Sequence, residues 1–362
     1  MRRLRLLVLV ADGPGNATLS YQHGWPRHLS RDPRYECEVV KLQDRSWLGR
    51  LGHASLRWRR YDAIVLLHSV FSNVCNLNGR AFNAVRKNPA PKVFFIGNEY
   101  KLMPEKMAFC DALAVRLLIT QSHSPRVQAL YRERLGCAVI GIPNTGWDPD
   151  IFHAEKPRAD RPIDLGYRSF ASPLTLGHDE RSEMMTAFQA SAARHGLSID
   201  FSLRAEDRFD ERGWAAFLNS CKGQIGTEAG GDYFELTDAT RHRVNDHLDA
   251  HPDAEITEVR ARFFGDHKDP VPIRILSSRN VEAAATRTVQ LLLEGEYGGY
   301  FEPGVHYIRV RQNFSNVDEA IRQFQDPVLC GEITDRAYAL VNEQLTFSKL
   351  LDNFDSSLRL IV

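Results

Sequence analysis

The chain has 362 residues, a length that favours two domains over one. Its 46 basic and 46 acidic side chains balance, which argues against a general nucleic-acid binder of the usual basic kind and leaves only a local patch open. The six cysteines, Cys37, Cys75, Cys110, Cys137, Cys221 and Cys330, lack paired spacing and read as buried thiols in a reducing compartment rather than a disulfide or metal framework.

The chain opens with arginines and a short apolar run, as a leader would, but Asp12-Gly-Pro-Gly15 follows at once. A buried strand over residues 4–11 fits better. No apolar run approaches the ~20 residues of a membrane span. The reduced thiols and the reading of the start as a strand give the expectation of a cytoplasmic location. Apolar runs at 37–42, 63–67, 93–96, 117–120 and 138–142 read as further strands. The segments separating them are mostly long enough for helices, so the first part is a parallel α/β domain over 1–150. Pro143-Asn-Thr-Gly-Trp-Asp-Pro-Asp150 is a turn-rich break. A second alternation, over 151–335, has strands predicted at 163–167, 199–203, 224–226 and 307–310. Residues 179–195 read as a helix with acids at its start, Met184, Met185, Phe188 and Ala192 on one face, and Gly196 as stop. Residues 289–293 follow the apolar Glu282–Ala285 stretch closely enough to continue a helix. Residues 317–324 read as a helix capped by Asn316 or Ser315. Between about 233 and 272 the alternation lapses into a polar helical insertion. Residues 336–362 carry helical periodicity and are expected to run back toward the first domain. Two doubly wound domains facing a cleft are therefore the expected architecture, with ligands at the carboxyl ends of the strands.

Two carboxylates near the ends of apolar runs are the most informative. They are Glu228 in Glu228-Ala-Gly-Gly-Asp232 and Glu282 in Arg279-Asn-Val-Glu-Ala283. Gly230 and Gly231 permit a ligand to approach the backbone. A nucleotide sugar offers two hydroxyl-rich ends, its ribose and its sugar. A carboxylate at each contributes roughly 1.5–3 kcal/mol per charged bond when dry. Gly166-Tyr-Arg168 closes a predicted strand, where a guanidinium can clamp a diphosphate or simply sit on a surface loop. Arg279 and Lys222 are alternative second cations. Gly13 and Gly15 follow the first strand; a dinucleotide fingerprint is excluded by the missing third glycine, and an ordinary tight loop fits as well as a binding loop. His68 ends the 63–67 run, where it can meet a sugar hydroxyl, move a proton, or be satisfied by backbone. Asn98 and Glu99 follow the 93–96 run; Glu99 can orient an acceptor hydroxyl or cap the next helix. Asp148-Pro-Asp150 has D-x-D spacing, but its proline stiffens the turn. His242, His247, His251 and His267 lack ligand spacing, so no metal is expected. Residues 45–60 are basic and aromatic, and read as a surface segment packing Trp and Leu inward or as a contact with an anionic membrane or acceptor.

Taken together, these residues resemble retaining glycosyltransferases of the GT-B fold, the large "group 1" or family 4-like class. Pro143-Asn-Thr-Gly-Trp-Asp148 through Phe152 is similar to that class's P-N-G-x-D…F segment, and Glu228-Ala-Gly-Gly231 to its E-G-F-G donor loop. Arg279-Asn-Val-Glu-Ala-Ala284 resembles the helix start carrying the ribose-binding glutamate. Gly166-Tyr-Arg168 is similar in position to the phosphate-binding basic residue. The likeness is strongest to a bacterial subgroup similar to spore-maturation-type glycosyltransferases, through Gly97-Asn-Glu-Tyr-Lys101, Pro143-Asn-Thr-Gly146, Glu228–Asp232, Glu294-Gly-Glu-Tyr-Gly-Gly299 and His306-Tyr-Ile308. The class places its two glutamates eight positions apart; here Arg274 stands eight positions before Glu282, and Glu228 lies beyond the insertion. The resemblance implies that Glu228 keeps the donor-sugar role from a neighbouring loop. It also implies metal-independent transfer with retention and no cofactor, the nucleotide sugar being a substrate. The acceptor would be a saccharide, lipid-linked or other hydroxyl, met by the first domain. Arg168 would stabilise the departing diphosphate. A nucleotide-sugar epimerase or hydrolase on the same fold, and a non-catalytic nucleotide-sugar-binding protein, are the rival readings.

Overall fold

The computed structural model describes residues 2–11, 20–43, 56–265 and 269–362. The chain forms two compact units: Met1–Pro143 with Phe234–Ala239 and Phe347–Val362, and Asn144–Tyr233 with Thr240–Thr346.

The first unit is built on six strands: β1 (Leu4–Val10), β2 (Tyr35–Lys41), β3 (Ala63–Leu66), β4 (Lys92–Phe95), β5 (Val115–Thr120) and β6 (Ala138–Gly141). They pair in the order β2-β1-β3-β4-β5-β6, every pair parallel. Both faces of the central strands are buried, which is why they read as unbroken apolar runs. On one face Leu6, Val8, Val65, Val93 and Phe95 meet Trp25 and Leu29 of helix Ser20–Arg31 and Phe347, Leu351 and Phe354 of helix Phe347–Leu358. Trp25 is fully buried, with ring centroids 4.8 Å from Phe95 and 5.7 Å from Phe347.

The second unit carries β7 (Ile163–Arg168), β8 (Ile199–Ser202), β9 (Cys221–Gly226), β12 (Val289–Leu293) and β13 (Ile308–Val310) in a parallel sheet of order β13-β12-β9-β7-β8. A separate antiparallel ribbon joins β10 (Ala229–Gly231) to β11 (Ile273–Ile275). The sequence reading missed this ribbon. Its strands are three residues each, and β10 is rich in glycine. The stretch between them is helical over Ala239–Ala250 and Ile256–Val259.

Residues 289–293 are a correction: they are a strand, β12, not a helical continuation. Helix Ser278–Ala285 stops because Arg287 takes a left-handed φ of 54° and Thr288 N donates to Ala283 O. Helix Val317–Gln325 starts at Asn316, but that side chain does not cap it. Asn316 Oδ1 instead accepts from Arg311 N at 2.8 Å and its Nδ2 donates to Arg309 O at 2.9 Å. Residue 336 lies inside helix Pro327–Gln344, and the last helix begins only at Phe347. All six cysteines are free thiols; Cys110, Cys221 and Cys330 are buried, whereas Cys37, Cys75 and Cys137 are only half-buried. Among the described residues no helix is long and apolar enough to cross a membrane. Most of the 45–60 segment lies outside the described residues; of its end, Leu56 is buried and Trp58 is 73% exposed.

Candidate functional site

In a doubly wound sheet the ligand crevice opens where successive crossovers leave a strand pair in opposite directions. In the second unit that point lies between β7 and β9: the chain goes from β7 out to β8, then returns to β9 on the other side. Arg168 ends β7 with Ser169 and Phe170 after it, and Thr227 and Glu228 follow β9.

Arg279, in the first turn of helix Ser278–Ala285, reaches this point. Its NH1 donates to Arg168 O at 3.1 Å and to Ser169 Oγ at 2.9 Å. Gln224 of β9 donates to Arg279 O at 3.2 Å, fixing the helix start against the sheet. Among the described residues no carboxylate pairs with Arg279 and no side chain caps this helix. Burial pushes the Arg279 guanidinium below its ordinary value, and the nearby Arg208 adds to this. An arginine stays protonated even so, and the charge of Glu282 one turn on favours it, but among the described residues no carboxylate comes within ion-pairing distance of it. Phe170 follows Ser169 in the chain, its ring 4.5 Å from Arg181 Cζ and 5.9 Å from Arg208 Cζ. Phe170, Arg181 and Arg208 were not singled out from the sequence. Only a strand-end phenylalanine followed by scattered arginines marks them. Open helix amides with several guanidiniums form an anion-binding surface.

Arg168, expected at the diphosphate, is engaged elsewhere. NH1 donates to Asp200 O at 2.8 Å and NH2 to Asp200 Oδ1 at 2.7 Å, and the guanidinium lies 4.5 Å from the Phe217 ring centroid. Lys222 pairs with Asp164 at 2.8 Å. Gly166 serves close packing: a Cβ there would stand 2.4 Å from Cys221 Sγ and 2.8 Å from the Phe217 ring.

Glu282, one turn beyond Arg279, is 2% exposed and accepts the Trp214 indole N–H at 2.7 Å on Oε2. Glu228 is also buried, with Oε1 accepting from Tyr297 N at 2.7 Å and Oε2 from Glu296 N at 3.3 Å. Burial pushes its carboxyl up to about 7, against the opposing pull of those amides and the Arg274 charge. Arg274 itself forks onto Glu180 at 2.7 and 2.8 Å and also pairs with Asp232. Burial raises the Glu180 carboxyl, but the Arg274 bonds and charge outweigh it, and the net shift is downward. His178 Nε2 lies 3.1 Å from Gly230 O, so it carries the proton, and burial lowers the imidazole's pKa. This Arg274–Glu180–Asp232 network was also missed, because its members lie far apart in the sequence.

Gly231 pairs with Ile273 in the ribbon. Gly230 has φ 91°, and a Cβ there would sit 1.7 Å from Ile273 O. Its glycine is thus required by the ribbon itself. Gly230→Ala is expected to destabilise the second unit by about 2–3 kcal/mol through backbone strain, read as a lower denaturation midpoint. A midpoint equal to wild type would refute this geometry.

The first unit has the same kind of switch point, between β1 and β3. Ala11 N donates to Ser69 Oγ there at 2.9 Å. Gly13 and Gly15 lie outside the described residues. His68 is buried between Tyr21 and Phe95, ring centroids 5.2 and 5.3 Å away, and burial pushes its pKa down to about 3. It is therefore a neutral, ring-packed imidazole at ordinary pH. Asn98 sits at φ 47° and donates to Asn73 Oδ1 at 2.6 Å. Glu99 is fully enclosed, accepting from Thr120 Oγ1 at 2.5 Å, Gln121 N at 2.8 Å and Tyr131 OH at 2.8 Å. Neither capping nor an open acceptor contact describes it: the carboxylate ties the loop to the end of β5. Asp148 is buried, and its Oδ1 accepts from Asp150 N at 3.2 Å. Among the described residues no group of three or more His, Cys, Asp or Glu is placed to hold a metal ion.

Two Rossmann-like α/β domains of this topology define the GT-B fold class, and whole-chain comparison agrees. No protein-family model matches the chain, and no curated protein matches it in sequence. Among solved structures, a DNA-modifying β-glucosyltransferase, determined with and without uridine diphosphoglucose, matches at TM-score 0.61 and 11% identity, covering 98% of this chain and 100% of that one. Sucrose-phosphate synthase from Thermosynechococcus elongatus matches at TM-score 0.53 and 10% identity, over 99% and 98% of the two chains. Anabaena HepE in complex with UDP-glucose matches at TM-score 0.51 and 14% identity, over 99% and 100%. At these identities the likeness is one of fold.

Proposed function

We propose that the chain is a glycosyltransferase moving a sugar from a nucleotide-sugar donor to an acceptor hydroxyl, with retention of configuration and without a metal ion. The observation that carries this reading is Arg279, held by Arg168 O and Ser169 Oγ at the switch point of the second unit's sheet with no acidic partner among the described residues. A nucleoside diphosphate supplies the anion that such a strand-end cation lacks. Support comes from the motif resemblance and from solved neighbours whose names carry UDP-glucose.

In this reading the second unit holds the donor. Arg279 and the first-turn amides meet the diphosphate. Arg168, paired with Asp200, positions the carbonyl that orients Arg279. Glu282, on the same helix and steadied by Trp214, takes the ribose hydroxyls. Glu228 takes the transferred sugar. As the bond from C1 to the diphosphate oxygen breaks, negative charge grows on that oxygen. Arg279 stabilises this charge more in the transition state than in the ground state. The same oxygen accepts the acceptor's proton, and the new C1–O bond forms on the face the diphosphate leaves. The first unit receives the acceptor, a saccharide or other hydroxyl compound. Its location is the cytoplasm, in contact with the inner membrane face if residues 45–60 bind lipid.

A thermal-shift screen of UDP, GDP, ADP and dTDP identifies the preferred base, and calorimetry then compares wild type with Arg279→Ala. The variant is expected to bind that diphosphate about 1.5–3 kcal/mol more weakly, roughly 10- to 150-fold. Equal affinity in a folded variant removes Arg279 from the site. Donor turnover over an acceptor panel, with and without chelator, tests transfer itself. Sugar release at a rate indifferent to acceptor would favour the hydrolase reading.

A further inference from the structure

The second unit has a basic cavity at the opposite end of its sheet. Arg161 precedes β7, Cys221 opens β9 and Thr288 precedes β12, so these residues mark the amino ends of the strands. Strands of this length put them roughly 20 Å from the carboxyl ends that carry Arg279. The cavity, of about 370 Å³, is lined by Lys156, Arg158, Arg161 and Arg287, with Glu155 and Thr334. That volume suits a small ligand.

The charge in it is unbalanced. Arg161 is 2% exposed, yet every acceptor it bonds is neutral. NH1 donates to Leu218 O at 3.2 Å, Cys221 O at 3.0 Å and Thr288 Oγ1 at 2.9 Å, and NH2 to Thr286 O at 2.7 Å and Lys156 O at 3.4 Å. Its Nε is buried without a hydrogen-bond partner, and so is Nε of Arg158. Arg158 donates to Phe324 O at 2.8 Å and stacks 4.7 Å over the Phe324 ring, again with no carboxylate among the described residues. Arg287 pairs with Asp335 and lies 4.3 Å over the Tyr338 ring. Lys156 is exposed at the rim. Four cations thus line the space; Asp335 answers Arg287 and Glu155 is the lining carboxylate, so the positive charge is in excess. A buried charge with neutral partners only is costly, and an anion in the space would offset it. Guanidiniums fit the oxygens of a tetrahedral oxyanion, and a dianion answers several cations at once.

We propose that this cavity binds a phosphate group, free or on a small phosphorylated metabolite, as a second anion site separate from the strand-end site. The inference does not depend on the proposed sugar transfer. Calorimetry on the full chain, with inorganic phosphate, glucose 6-phosphate and acetate as probes, tests it. Phosphate is expected to bind saturably and acetate at least tenfold more weakly. Lys156→Glu, an exposed charge reversal that leaves the fold intact, is expected to weaken phosphate at least tenfold, as is Lys156→Ala combined with Arg158→Ala. In an Arg279→Ala background, where the strand-end site is weakened, Lys156→Glu is expected to lower phosphate affinity by the same factor. Tighter binding of glucose 6-phosphate than of phosphate assigns the site to a phosphorylated metabolite; equal binding assigns it to the free anion. Absence of saturable phosphate binding, or unchanged phosphate affinity in Lys156→Glu, would overturn the proposal.

Discussion

Glu228→Gln is expected to bind nucleoside diphosphate within about threefold of wild type while losing one to several orders of magnitude in kcat, each tenfold being about 1.4 kcal/mol of barrier. The split follows from the role proposed for Glu228, because a free diphosphate has no sugar to lose. The carboxylate also accepts from Tyr297 N and Glu296 N, so a loop-anchoring role competes with the sugar contact. Glutamine keeps one carbonyl oxygen and so can keep the shorter of those two bonds. A near-normal kcat with normal affinity would leave Glu228 as an anchor and end its donor-sugar role. Unchanged kcat alongside lost affinity would sink both readings.

The same substitution has a stability signature with a definite sign. Burial raises the Glu228 carboxyl from an ordinary 4.5 to about 7. The folded protein therefore holds this proton where the unfolded chain has released it. The contribution is fully present below about pH 4.5 and is lost as pH rises to about 7. The loss is on the order of 3 kcal/mol. Wild type should weaken over that window relative to Glu228→Gln, which cannot ionise, and the two pH–stability curves should run parallel above it. Curves parallel throughout the window would mean that the carboxyl is not shifted.

The strands of both parallel sheets were mostly legible because the central ones, β1, β3, β4 and β5 in the first unit, are buried on both faces and therefore appear as apolar runs. β12 was not, since Thr286-Arg-Thr288 contains no glycine or proline to mark the end of the preceding helix. Arg287 makes that turn in a left-handed conformation that its side chain does not advertise. The β10–β11 ribbon was hidden for another reason: its two short strands are separated by the insertion, and their pairing has no local signal. The candidate site divides in the same way. Arg279 was visible as a cation at a helix start, but its lack of an acidic partner among the described residues is a tertiary fact. Arg168 looked like the better clamp until Asp200, brought alongside by β8, took its fork. Glu99 and His68 sit at strand ends as expected. Whether such residues face a ligand or the interior depends on Tyr131, Thr120, Tyr21 and Phe95, which chain spacing does not place.

Lys106→Met should destabilise the first unit by about 3–5 kcal/mol, the range for removing one member of a buried charged group. Lys106 is fully buried, and its ammonium spends one hydrogen on each of Gly97 O at 2.6 Å, Asn98 O at 2.8 Å and Lys101 O at 2.9 Å. The Gly97-Asn-Glu-Tyr-Lys101 loop is thereby wound around one cation. Burial pushes the enclosed Glu99 carboxyl up, and the Thr120, Gln121 and Tyr131 bonds together with the Lys106 charge pull it back down without cancelling that rise. Methionine fills similar space but leaves three carbonyls without this donor and Glu99 without its cation. Adding Glu99→Gln to Lys106→Met should recover part of the loss, because the uncompensated charge is then gone, so the two changes are strongly non-additive. Nucleoside diphosphate affinity, assigned to the second unit, should stay within about threefold in folded Lys106→Met. Denaturant unfolding of the four proteins of this cycle decides the matter. A loss below about 1 kcal/mol for Lys106→Met, or strict additivity with Glu99→Gln, would mean that the ammonium does not organise this loop.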